Sequence, residues 1–271
     1  MQEDGSCFPP TASVRLGKLW RSVRITRNFK LTVAYDGTRY QGWQRLGSTD
    51  NTLQQRIETV LSRILDAPIE ISGSGRTDAG AHAKAQVASF RTETQLPARS
   101  ILARLRHQLP EDIGALSLEE AEPRFHARLC AKRKTYVYRV WNSELPNVFE
   151  QRFQHQLAKS LNVEKMDMAA QSFVGTHDFL AFCANKHFKK PSVRTIERFS
   201  VERLGEEVRF TVTADGFLYN MVRILVGTLL EIGQGLRQPE DLPGVFASRR
   251  RENAGETAPA RGLCLWEVEY E

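Results

Sequence analysis

Thr32-Val-Ala-Tyr-Asp-Gly-Thr-Arg-Tyr40 and Thr211-Val-Thr-Ala-Asp-Gly-Phe-Leu-Tyr219 follow one pattern. In each, a strand-like run meets Asp-Gly, and a Tyr stands three residues after the Gly. Asp-Gly supplies a turn, since Asp bonds its own backbone and Gly accepts positive φ. The first run starts earlier, and Phe29-Lys-Leu-Thr-Val-Ala-Tyr35 alternates as a half-buried strand does. The echo reads as two similar halves whose sheets meet and leave a cleft at the junction, where pockets tend to form. The alternative is coincidence among common turn residues.

Outward from this pattern, Leu53, Ile57, Val60, Leu61, Ile64 and Leu65 recur at helical spacing. They predict a helix over 52–65 with its apolar face inward. Strands are expected at Gln86 to Arg91, Thr135 to Trp141, Val193 to Arg203 and Val208 to Ala214. Residues 219–234 read as a largely buried helix, and Gly262 to Tyr270 as a closing strand. Mixed strands and helices give an α+β class. Residues 1–28 hold Pro9, Pro10 and a spaced basic series of Arg15, Lys18, Arg21, Arg24 and Arg27, continued by Lys30. They read as a flexible basic arm, either a contact to an RNA backbone or a leader without function. The catalytic region then spans 29–271, in approximate halves 29–135 and 136–271.

The 271 residues carry 38 Lys and Arg against 32 Asp and Glu, a formal +6 that suits a polyanionic partner. Cys7, Cys130, Cys183 and Cys264 are scattered without a C-x-x-C pair, which argues against a disulfide framework or a cysteine zinc site and for a reducing compartment. The six histidines lack metal-ligand spacing, so no metal is expected. The apolar run Ile224 to Ile232 is broken by Gly227 and Thr228 and is too short for a membrane span. Glu3 and Asp4 with no apolar core after them argue against secretion.

Three segments could carry chemistry. Gly73-Ser-Gly-Arg76-Thr77-Asp78-Ala-Gly80-Ala-His82 is a glycine-rich loop in which Arg76 is expected to fold back onto Asp78 and hold it ionised. Such an Asp serves as nucleophile or base, or the pair simply ties a structural turn. Lys132-Arg133-Lys134-Thr-Tyr136-Val-Tyr138-Arg139 interleaves cations with aromatics, as phosphate contact and base stacking require. Tyr136 and Tyr138 share one face of the strand, and the alternative reading is that at least one of them is ordinary core. In Asp215 to Gly227, Arg223 interrupts an apolar helix and needs an anionic partner unless it snorkels to solvent. The glycine loop is not a phosphate-binding loop, because the lysine and spacing are missing. Tyr35-Asp-Gly-Thr38 is not an aspartyl phosphatase motif, because Ala34 stands where the nucleophile would be. No nucleophile elbow marks a Ser-His-Asp set.

Together these segments resemble the tRNA pseudouridine synthase A (TruA) family. The motifs are Tyr35-Asp-Gly-Thr-Arg-Tyr-Gln-Gly-Trp-Gln44, Gly75-Arg-Thr-Asp-Ala-Gly-Ala-His82, Phe125-His-Ala-Arg128, Lys134-Thr-Tyr136, Asp215 to Gly227 and Ala258-Pro-Ala-Arg-Gly-Leu263. The likeness runs from about Phe29 to the end, and Ala81 departs from the family's usual Val. It implies the pseudouridine synthase fold: two pseudo-symmetric α+β halves, a central antiparallel sheet flanked by helices, and an active-site cleft between them. It implies isomerisation of uridine to pseudouridine at positions 38 to 40 of the tRNA anticodon stem-loop, in the cytoplasm, by a homodimer without a cofactor. Asp78 matches the catalytic aspartate, Arg76 and Arg223 match basic residues near it, Tyr136 matches the tyrosine that stacks on the target base, and Leu263 matches an apolar wall residue. Lys132, Arg133, Lys134 and Arg139 are expected to contact the RNA backbone. On the residues alone two rivals stay open: an RNA-binding module without catalysis, and a metal-free hydrolase that uses Asp78 on another nucleoside.

Overall fold

The alternation that begins at Phe29 is realised in strand β1 (Arg27–Tyr35), where Phe29, Leu31, Val33 and Tyr35 are buried. A computed structural model describes residues 26–185 and 189–271. Of the basic arm, Arg15, Lys18, Arg21 and Arg24 lie outside the described residues, whereas Arg27 and Lys30 belong to β1.

Helix α1 (Leu53–Leu65) is capped by Thr52, whose side chain accepts a hydrogen bond from the Gln55 amide. Its predicted apolar stripe is buried, and it stops where Asp66 turns left-handed. The short β2 (Ser72–Gly73) then leads into β3 (His82–Thr92). Helix α2 (Ala98–Gln108) and the edge strand β4 (Ile113–Ala121) complete this flank. β5 (Arg133–Trp141) opens the other flank, with β6 (His155–Gln156) beside it. Helix α3 (Val163–Ala170), β7 (Gly175–Asp178), β8 (Val193–Leu204) and β9 (Glu207–Ala214) follow. Helix α4 (Met221–Gly233) is buried along nearly its whole circumference, as its apolar sequence requires. Helix α5 (Leu242–Ser248) and β10 (Leu263–Glu269) end the chain.

The strands form one sheet in the order β4-β1-β3-β10-β5-β9-β8-β7. Pairing is antiparallel except between β3 and β10 and between β5 and β6. β10 therefore lies near the middle, with β3, β1 and β4 on one side and β5, β9, β8 and β7 on the other. The two strands of the internal echo, β1 and β9, hold equivalent places, each paired with the centre-facing strand of its flank and each ending at Asp-Gly. The α+β class and the sheet flanked by helices are thus the expected ones, with the parallel β3–β10 seam as the addition. No helix among the described residues is long and apolar enough to cross a membrane.

Candidate active site

The two glycine-rich motifs of the first flank interlock into one body. Tyr35, at the end of β1, meets Thr77 hydroxyl to hydroxyl at 2.8 Å. The Trp43 amide donates to the Thr77 carbonyl at 3.0 Å, and the Gly80 amide reaches the Tyr40 carbonyl. Two positions admit only glycine. A Cβ on Gly37 would lie 1.9 Å from the Ala81 carbonyl oxygen, and Gly42 sits at φ +84° against the backbone of residues 77–79. Ser74 is fully buried and donates to Gln86 of β3, which in turn donates to the Gly75 carbonyl. The loop that carries Asp78 is held by backbone bonds to residues 40–43 and by the buried Tyr35, Ser74 and Gln86, which gives its carboxylate a fixed direction.

Asp78 does not pair with Arg76 as its sequence neighbourhood suggests. Its Oδ2 accepts from Arg223 Nη1 at 2.9 Å, and the two side chains are 18% and 16% exposed. Arg76 is exposed and donates instead to Gln44 Oε1 at 3.0 Å. The interlocked backbone around Thr77 leaves the Asp78 carboxylate facing the second flank, where Arg223 rises from the first turn of α4. Arg223 is fixed by two further acceptors, Ala258 O at 2.7 Å and Asn220 Oδ1 at 3.3 Å. With this exposure and these partners it does not snorkel, and the anion it needs is Asp78. The Ala258 amide returns a hydrogen bond to the Arg223 carbonyl, so the motif Ala258 to Leu263 acts as a clamp on this arginine.

Strand β5 supplies the floor. Its alternation puts Lys134, Tyr136 and Tyr138 on one face. Tyr138 is core: its hydroxyl donates to Pro259 O at 2.8 Å. Tyr136 is 7% exposed, lines the cavity, and meets Phe217 edge-on at 5.1 Å between ring centres. Burial, with the Asp78 charge adding to it, raises the Tyr136 hydroxyl well above its ordinary pKa, so it is neutral. Lys134 Nζ donates to the Ser74 carbonyl at 2.6 Å. Burial, with Arg128 and Arg194 adding to it, pushes the Lys134 amine down to about 8.

These elements enclose a cavity of about 800 Å³ between the two flanks. Asp78, Arg76, Tyr136, Arg223, Leu263 and Lys134 all line it. Among the described residues that line it, seven are Lys or Arg and Asp78 is the single acid. Lys132, Arg133 and Arg139 are not brought to it. Arg133 and Arg139 point from the opposite face of β5, where Arg133 pairs with Glu269 and Glu197, and Arg139 with Glu150 and Glu207. Lys132 precedes the strand, is exposed and does not line the cavity. Cavity residues not singled out from sequence include Gln44, Arg128, Arg194, Phe217 and Tyr219. Four of these lie inside quoted motifs, and only Arg194, at the start of β8, had no signal of its own. Among the described residues no three His, Cys, Asp or Glu side chains gather as a metal site.

The low pKa of Lys134 has a direct consequence. As pH rises through about 8 the free protein's amine loses its proton and the cavity loses one positive charge. The salt slope of polyanion binding should therefore become shallower, by up to about one ion, between about pH 7 and pH 9. Lys134→Met should remove this pH dependence; an unchanged slope difference in the variant would assign it elsewhere. For stability, the folded value lies below the unfolded 10.5. The protonated amine thus costs the fold most below about pH 8, and the cost is relieved as pH rises toward the unfolded value.

A family model described as tRNA pseudouridine synthase matches residues 31–128 and 169–271. Both cavity loops and α4 fall inside the matched segments. The tRNA pseudouridine synthase A 2 of Clostridium perfringens (strain 13 / Type A) is 44% identical over 244 residues, which cover 90% of this chain and 100% of that protein. The tRNA pseudouridine synthase A of Moorella thermoacetica (strain ATCC 39073 / JCM 9320) is 46% identical over 246 residues, covering 89% and 98%. With Asp78 paired to Arg223 in a cation-lined cavity that Tyr136 also lines, and with relatives matched along nearly their full length, this chain belongs to the tRNA pseudouridine synthase family.

Proposed function

We propose that this chain isomerises uridine to pseudouridine in tRNA, at positions 38 to 40 of the anticodon stem-loop, with Asp78 as its catalytic carboxylate. The observation that carries the reading is that, among the described residues, Asp78 is the single acid lining a cavity that also presents seven Lys and Arg side chains and an aromatic wall. The cations suit the phosphates of an RNA strand, and the acid suits a reaction at the sugar. The reaction breaks the bond from uracil N1 to ribose C1′, turns the base, and joins C5 to C1′. The C5 proton is lost and N1 gains one, so redox state and composition are unchanged and the chemistry requires no cofactor. Ionised Asp78 either attacks C1′ or takes a proton from the sugar. Arg223 keeps the carboxylate aimed and paired before substrate enters.

A paired uridine must first leave the helical stack, at a cost of a few kcal/mol. Stacking on Tyr136 offsets about 1–3 kcal/mol of this. Leu263, on the strand beside β5, adds an apolar surface to the same cavity, and Lys134 and Arg76 contact the backbone or the extruded nucleotide. A homodimer in the cytoplasm, presenting two such clefts to one tRNA, completes the proposal.

The label on C5 tests it. A tRNA transcript carrying tritium at uracil C5 should release one tritium per uridine isomerised; label retained alongside nucleoside turnover would contradict the reading. In the same assay Tyr136→Phe should keep most of the single-turnover rate, because the ring remains. Tyr136→Ala should lose about 10- to 100-fold, the equivalent of one base stack. Equal and severe losses in both variants would mean that the hydroxyl, not the stack, is what matters.

A further inference from the structure

We propose that Gln44 is the positioning residue of Arg76, held in place by a polarised relay that ends at the buried carboxylate of Glu58. The inference rests on the reading of Arg76 as a residue of the RNA site and adds to that reading the device that aims it.

Arg76 is an exposed arginine at the cavity wall, and its one hydrogen bond among the described residues is from Nε to Gln44 Oε1 at 3.0 Å. A long side chain held this way has one degree of anchoring and leaves both terminal nitrogens free for a ligand. Its aim therefore depends on whether the Gln44 amide is itself fixed. Gln44 Nε2 donates to Gln54 Oε1 at 3.0 Å, and Gln54 Nε2 donates to Glu58 Oε1 at 2.8 Å. Gln54 Oε1 also accepts from the Arg45 amide, which fixes that amide group the same way round. Glu58 is 3% exposed; its Oε1 accepts further from the Ile71 amide and its Oε2 from Arg45 Nη1.

Every donor in the chain points toward Glu58 and every acceptor toward Arg76. The relay runs from a cation at the cavity to a buried anion, through two amides that can be oriented in only one sense. Reversing either amide would set a donor against a donor. A structural role for Glu58 alone would account for the Ile71 and Arg45 contacts but not for the continuation through Gln54 and Gln44 to the cavity. Hydrogen bonds in such chains polarise one another, so the buried charge strengthens the contact that reaches Arg76.

A double-mutant cycle on single-turnover isomerisation tests the inference, with tRNA Kd and Tm measured for each variant. Gln44 is half-buried, so Gln44→Leu should fold. It should slow the step about tenfold, as expected for removing one charge-assisted hydrogen bond, with Kd changed less than about twofold and Tm nearly unchanged. In an Arg76→Ala background the same substitution should have no further effect. Glu58→Gln, remote from the cavity, should reproduce a smaller loss that also vanishes without Arg76. A wild-type rate in Gln44→Leu, or a second tenfold loss on top of Arg76→Ala, would overturn the positioning role, the latter by giving Gln44 a contact of its own with RNA. An Arg76→Ala variant as fast as wild type would overturn the reading of Arg76 on which the inference rests, while leaving Asp78 untouched.

Discussion

Asp78→Asn is expected to lower the rate of isomerisation by at least about 10³-fold, within the range for removing a positioned acid–base group. tRNA affinity should change less than about threefold, because the substitution leaves in place the cavity cations proposed to meet the phosphates. The amide keeps the size and can still accept from Arg223 Nη1 through its oxygen, so the loop should keep its shape. It cannot attack C1′ or take a proton. The loss should therefore be in the single-turnover rate rather than in binding. Single-turnover kinetics with saturating enzyme separate the two. A variant that retains a tenth of the wild-type rate would remove Asp78 from the central role in the chemistry.

Arg223→Ala is expected to lose about 10- to 100-fold in rate, the equivalent of a hydrogen bond to a charged group, and to lower stability as well. Three acceptors lose their donor at once: Asp78, Asn220 and Ala258 O. Because the last of these belongs to the segment before β10, the substitution should also lower Tm, which Asp78→Asn should do to a smaller extent. Arg223→Lys should recover only part of the rate, since one ammonium cannot reproduce a fork that serves Ala258 through Nε and Asp78 through Nη1. Full activity in Arg223→Ala, or full rescue by Lys, would show that the pairing with Asp78 does not matter to catalysis.

Much of this site is legible in sequence where local rules apply. The β1 alternation and the apolar stripe of α1 appear in the structure as their periodicity predicts. The same period-two rule that joins Tyr136 to Tyr138 also turns Arg133 and Arg139 away from the cavity. Those two were therefore separable from Lys134 by parity alone. The partner of Asp78 is a different matter. Arg223 is 145 residues away, and two separate signals bear on it: an ion pair needed by a cation in an apolar helix, and a carboxylate in a rigid loop. The nearer Arg76 was the simpler partner, but the backbone bonds at Thr77 and Gly80 decide where the Asp78 side chain points, and they are made with residues 35–43. Helix α2 and strand β4 are weakly written for a physical reason. α2 buries only Ile101 and Leu105 among its arginines, and β4 lies at the sheet edge with Glu119 and Glu120 near its end.

The most direct test is to incubate the purified protein with an unmodified tRNA transcript, without added cofactor, and to identify the nucleosides formed and their positions. The account predicts pseudouridine at positions 38 to 40 and no released uracil, with Asp78→Asn leaving uridine in place. Free uracil with an abasic site would instead make this cavity that of a hydrolase, and unchanged uridine after stoichiometric binding would make it an RNA-binding module; either result would contradict the central claim.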